Sequence, residues 1–180
     1  TESLKREKST FAWNEEAWKS YRRQGLTPLG RRLQTRARGK IFLDLASGLK
    51  NVSCVPRRIA EEYGAAFYVG VDRIHPESIL TTEGSQSQFA CFYIAADVFE
   101  FVDKMQASAD WVVFLAGLEV KDRKNADALL EAQSLIRSLS RAMKKGAVLL
   151  LGAASHDFVP PAHDFKFIGQ DRYHRLYQRR

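Results

Sequence analysis

The chain has 180 residues, of which 45% are hydrophobic and 27% charged. These values exclude a collagen-like, mucin-like or wholly disordered chain; they predict one domain with a terminal extension and a core that needs no disulfides. The whole formal excess of +7 lies in residues 1–40, which hold 11 Lys and Arg against 4 Asp and Glu, whereas residues 41–180 hold 17 of each.

No apolar run approaches the roughly 18 residues of a membrane span, and the charged start from Thr1 to Lys8 shows no secretory signal. Cys54 and Cys91 match no metal or redox spacing and read as reduced, buried thiols. The expectation is a cytoplasmic protein without a metal site or a membrane partner.

In chain order, Asn14 to Gln24 reads as a helix. Asn14 caps it, Glu15 and Glu16 suit the positive end of its dipole, and Arg22 and Arg23 suit the other end. Gly25 and Pro28 stop it, and a basic stretch from Gly30 to Lys40 follows. Apolar runs then alternate with helical patterns. The runs are Ile41 to Leu45, Ala66 to Val71, Phe89 to Ala96, Trp111 to Ala116 and Ala147 to Leu151. Pro56 to Tyr63 is helical and ends at Gly64; Pro76 to Leu80 is a short helix led by proline. Val98 to Met105 places Val98, Phe101, Val102 and Met105 on one face. Arg123 to Lys145 is the longest helix, with Leu129, Ala132, Ile136, Leu139 and Met143 at three- and four-residue steps and Gly146 at its end. Phe165 to Ile168 and Tyr173 to Gln178 are strand-like, with Gly169, Gln170 and Asp171 as the turn.

Strands alternating with helices predict a parallel sheet covered on both faces. The strands are nearly all apolar because a central parallel strand is buried on both sides. The last two strands have no helix between them, so the sheet ends antiparallel. The predicted fold class is α/β: a three-layer Rossmann-like sandwich, with a mostly parallel seven-stranded sheet and an antiparallel C-terminal hairpin strand. Residues 1–39 form a basic helical extension packing on the core, and residues 40–180 form the Rossmann-like domain.

In an open parallel sheet, ligands bind beyond the carboxyl ends of the strands. Those ends carry Asp44-Leu45-Ala46-Ser47-Gly48, then Gly70-Val71-Asp72-Arg73, then Ala95-Ala96-Asp97-Val98. A glycine in the first loop lets the backbone approach a ligand closely. A carboxylate ending the second strand accepts from both ribose hydroxyls, and one after the third accepts from the exocyclic amine of adenine. Each acid alone is equally explained as a helix cap; three at successive strand ends favour a nucleoside. A dinucleotide site needs the G-x-G-x-x-G turn, which is absent.

From Lys40 to Gln178 the chain resembles the class I S-adenosylmethionine-dependent methyltransferases. The resemblance implies that Asp44 is the acid of the first motif and that Ala46, Ser47 and Gly48 stand in its glycine loop. It makes Asp72, followed by Arg73, the ribose acid, and Asp97 the adenine acid with Val98 packing near the base. Leu115 and Ala116, with Gly117, fall in the loop beside the methionine part and the substrate. The family loop carries two or three glycines, and only Gly48 stands between Asp44 and Pro56, so the loop is degenerate. The implied cofactor is S-adenosyl-L-methionine.

Methyl transfer relies mainly on alignment, so no catalytic signature is required, and none is assigned. The segment Phe114-Leu115-Ala116-Gly117 lacks the Asn or Asp, Pro, Pro and aromatic pattern of amino-methylating relatives. His156 is a candidate base; His156 and His163, with Asp157 and Asp164, match no metal spacing. RNA is the first substrate class, reached through the basic N-terminal arm and the Arg-rich C-terminus (Arg172, Arg175, Arg179, Arg180). A small molecule or a protein is the next. The alternative is an inactive methyltransferase-like fold that binds RNA or protein.

Overall fold

The computed structural model describes residues 28–45, 55–73, 89–105, 110–115, 126–152, 159–171 and 174–180. Five strands are parallel: Ile41–Leu45 (β1), Phe67–Asp72 (β2), Cys91–Ala95 (β3), Trp111–Leu115 (β4) and Val148–Gly152 (β5). Phe165–Gln170 (β6) and His174–Arg179 (β7) complete a seven-stranded sheet in the order β3-β2-β1-β4-β5-β7-β6. β7 runs antiparallel to both its neighbours, β5 and β6, which is the antiparallel ending predicted from the missing last helix.

Alternation along each strand splits the core in two. Phe42, Tyr68, Val112, Phe114, Val148, Leu150 and Leu176 face helices Pro28–Ala37 (α1) and Val55–Glu62 (α2). Leu43, Leu45, Val69, Val71, Val113, Leu115, Leu149 and Leu151 face helices Val98–Lys104 (α3) and Ala126–Ala142 (α4). Ala132, Ile136, Leu139 and Met143 of the long amphipathic stripe are buried there. Gly64 and Gly146 follow α2 and α4 with φ of 72° and 86°, a left-handed backbone that glycine enters without steric penalty.

The structure adds four details. Pro28 begins a helix, because the first helical position has no N–H bond to lose. The basic stretch after it is therefore largely α1, docked on the sheet by Leu33 and Ala37. The hairpin turn lies later than expected: β6 continues to Gln170, and the Asp171 carboxylate accepts from the His174 backbone N–H at 2.7 Å. His163 and Asp164 lie at the amino-end edge of the parallel strands. Asp164 immediately precedes β6 and meets Arg179, whose backbone oxygen accepts from Gly146 ahead of β5. The helices expected at 14–24 and 76–80 fall outside the described residues. Among the described residues, no helix is long and apolar enough to cross a membrane.

Candidate functional site

Strand order reverses between β1 and β4, which lie side by side with Leu45 opposite Leu115. The crevice at such a reversal, beyond the carboxyl ends, is where open α/β sheets bind ligands. Next to it, β2 and β3 end in register: Asp72 pairs with Ala95, and its backbone oxygen accepts from the Ala96 N–H at 2.8 Å. That tie brings Asp72, Arg73 and Asp97 to one cavity of about 170 Å³, which Val98 and Leu115 also line. Five residues predicted from separate strand ends thus meet. Among the described residues, Phe99 and Leu135 also line it. They were not anticipated: Phe99 is the second residue of α3, and Leu135 flanks the α4 stripe one position before Ile136. Ala46, Ser47, Gly48 and Ala116 lie outside the described residues, as do His156 and Asp157.

Asp97 is both a cap and a cavity residue. Its Oδ1 accepts from the backbone N–H groups of Phe99 at 2.9 Å and Glu100 at 3.2 Å, which fixes the start of α3. Its Oδ2 accepts from Arg73 Nε at 2.7 Å and also from Arg73 Nη2. The Arg73 bonds first, and the backbone bonds next, hold the carboxyl below its ordinary range, so it is an anion at neutral pH.

Asp44 takes no part in that cavity. It follows Phe42 on the α1/α2 face, is 1% exposed, and accepts from the Tyr68 hydroxyl at 2.5 Å. Burial pushes its pKa up to about 7; the Tyr68 bond opposes this and the Asp72 charge adds to it. In the sequence Tyr68 is only part of an apolar strand. The available signal was a hydroxyl-bearing aromatic on the same strand face as the acid's neighbour.

The two basic regions differ. Arg31 and Arg38 are exposed on α1 and the turn after it, and neither has a carboxylate partner among the described residues. Arg32 donates to the Ile168 carbonyl at 2.5 Å and Arg36 to the Arg32 carbonyl at 3.0 Å. At the other end, Arg175 is buried, and Arg179 donates to the carbonyls of Ser140 at 2.6 Å and Asp164 at 3.0 Å. Arg175 is thus taken into the core and Arg179 is engaged by backbone carbonyls, so the expected C-terminal basic patch loses half of its members; Arg172 lies outside the described residues. Cys91 is a half-buried free thiol on β3, and Cys54 also lies outside the described residues.

No protein-family model matches the sequence, and no curated protein matches it either. Solved structures do match. TrmN from Thermus thermophilus aligns over 84% of this chain and 47% of its own, with a TM-score of 0.59 at 14% identity. The N-methyltransferase NodS from Bradyrhizobium japonicum aligns over 92% and 98%, with a TM-score of 0.53 at 11% identity. The 16S rRNA N2 methyltransferase RsmC from Thermus thermophilus, solved with AdoMet and guanosine, aligns over 86% and 43%, with a TM-score of 0.51 at 18% identity. Likeness at such identities speaks for architecture: the chain has the Rossmann-like fold of the class I S-adenosylmethionine-dependent methyltransferases.

Proposed function

We propose that this chain binds S-adenosyl-L-methionine and transfers its methyl group, with RNA as the acceptor class. The observation that carries the reading is the meeting of Asp72 and Asp97 at one cavity on the carboxyl side of a β3-β2-β1-β4-β5-β7-β6 sheet. The residues present fit an adenosyl group. Asp72 supplies acceptors for a ribose diol, Asp97 faces the same space, and Val98, Phe99, Leu115 and Leu135 offer an apolar wall to a base. When bound, the sulfonium supplies an electrophilic methyl group for in-line displacement. The chain's own part is to hold the nucleoside, align it and shield it from water. Ala46, Ser47 and Gly48, which follow β1, and Leu115 and Ala116, at the end of β4, belong to the same proposed site, whereas Asp44 on β1 lies outside the cavity.

RNA is favoured by α1. Residues 17–43 contain eight Lys and Arg and no Asp or Glu, and Arg31 and Arg38 stand out in solvent. Among the described side chains of α1, the apolar Leu33 and Ala37 are buried in the core and offer no face to a lipid layer. Phosphate in solution fits such a ridge better than a membrane surface does. The rRNA acceptor of RsmC, a fold neighbour, supports the same class. The single glycine between Asp44 and Pro56 favours a second reading, an inactive fold of this type that binds RNA or protein.

Calorimetric titration with S-adenosylhomocysteine tests the first reading. Saturable binding is expected, and Asp72→Ala should weaken it by about tenfold, the loss of one or two bonds to a charged acceptor. Unchanged affinity in Asp72→Ala would remove Asp72 from the site. Methyl transfer to RNA oligonucleotides, with binding that falls steeply as salt rises, tests the acceptor. A flat salt response would exclude RNA while leaving the cofactor reading intact.

A further inference from the structure

Asp97 receives four hydrogen bonds: two on Oδ1 from the start of α3 and two on Oδ2 from the Arg73 guanidinium. A carboxylate offers about four acceptor directions. Asp97 therefore has none left for a ligand, although it lines the cavity. One pair of bonds has to yield before a base can be read. The two pairs are unequal. The cap bonds come from backbone already fixed in α3. The Arg73 side chain is long and 75% exposed, and an exposed ion pair contributes little stability.

We propose that Arg73 is a latch on Asp97, holding Oδ2 until the exocyclic amine of a bound adenosyl group displaces it. The proposal rests on the adenosyl reading of this cavity and assigns Arg73 a regulating role within it. Arg73 acts through Asp97, so it is a positioning residue rather than a direct ligand contact. The cap bonds on Oδ1 persist throughout, so the latch opens without disturbing α3. The exchange also carries specificity. An adenine amine donates to Oδ2 and replaces what Arg73 gave, whereas a 6-keto base presents an oxygen acceptor at that exocyclic position, with its N1–H donor one ring atom away, and displaces the latch less well.

The test is a titration of the full chain with S-adenosylhomocysteine and with S-inosylhomocysteine, at low and high ionic strength. Arg73→Met keeps a long side chain without the charge. It should bind the adenosyl ligand about two- to fivefold more tightly than the parent at low salt, the range an exposed ion pair supplies. The parent should approach the variant as salt screens the pair, while the variant stays flat. The inosyl ligand should gain less than the adenosyl ligand. Arg73→Lys, which keeps the charge but not the paired donors, should fall between the two. Adenosyl binding by the parent with equal or weaker binding by Arg73→Met overturns the latch alone. Binding of the adenosyl ligand by neither protein, with both shown to be folded, overturns the cofactor reading and the latch with it.

Discussion

Asp44 and Asp97 are the same residue type at the carboxyl side of neighbouring parts of one sheet, and the fold drives them in opposite directions. Asp44 is sealed in the core with one partner, the Tyr68 hydroxyl, and its pKa rises to about 7. Asp97 stands at the surface with an arginine and two backbone N–H groups, and its pKa falls. Desolvation outweighs a single neutral hydrogen bond in the first case; a cation and a helix start outweigh desolvation in the second. A carboxyl at a strand end is thus no fixed chemical object: one is a proton store near neutrality, the other a permanent anion.

The largest expected effect breaks the first half of that contrast. The folded pKa of Asp44 lies above its ordinary value of 3.8. The folded state therefore holds the proton more tightly than the unfolded state. The stability Asp44 contributes is complete below pH 4 and is lost as pH rises to about 7. The gap between 3.8 and about 7 corresponds to something on the order of 4 kcal/mol. Asp44→Asn should flatten this part of the profile and exceed the parent in stability at pH 8, as read from urea denaturation between pH 4 and 8. A parent profile that is already flat would contradict the buried, protonatable Asp44.

A smaller loss is expected from Tyr68→Phe. It removes the bond that favours the Asp44 anion, so the carboxyl moves further toward its neutral form. The stability loss should be about 1–3 kcal/mol, the usual penalty for leaving a buried polar group without its partner. Equal stability in both proteins would mean that Asp44 finds another donor.

The smallest effect sharpens the second half of the contrast. Asp97→Ala should lower the melting temperature slightly through the lost cap, whereas Asp97→Asn should keep it, because asparagine caps as well as aspartate. The pH sign is the reverse of that for Asp44. The contribution of Asp97 is present above its ordinary range and is lost only as pH falls below it. Equal melting temperatures for the alanine and asparagine variants would show that the cap contributes little.

The strands were legible because each is a short apolar run between turn residues, and α4 was legible from its repeating stripe. The cavity residues were legible as well, since Asp72, Arg73, Asp97, Val98 and Leu115 sit where strands end. Less was visible wherever one residue has two local meanings. A proline both stops helices and starts them, and the docking of Leu33 and Ala37 on the sheet goes with a helix that starts at Pro28. Arg175 and Arg179 resemble a basic tail in sequence, yet β7 lies between β5 and β6 and carries them into the fold.

Strand and helix alternation, the antiparallel ending and the set of acids at the carboxyl side follow from local patterns, because hydrophobic period and turn chemistry are local properties. What each acid became was set by packing in three dimensions. Asp44 lost its water to the core and gained Tyr68 from the next strand; Asp97 gained Arg73, 24 residues earlier, because the pairing of β2 with β3 places their ends together. Ionisation depends on solvent and on neighbours distant in sequence, and neither is written into a residue's local context.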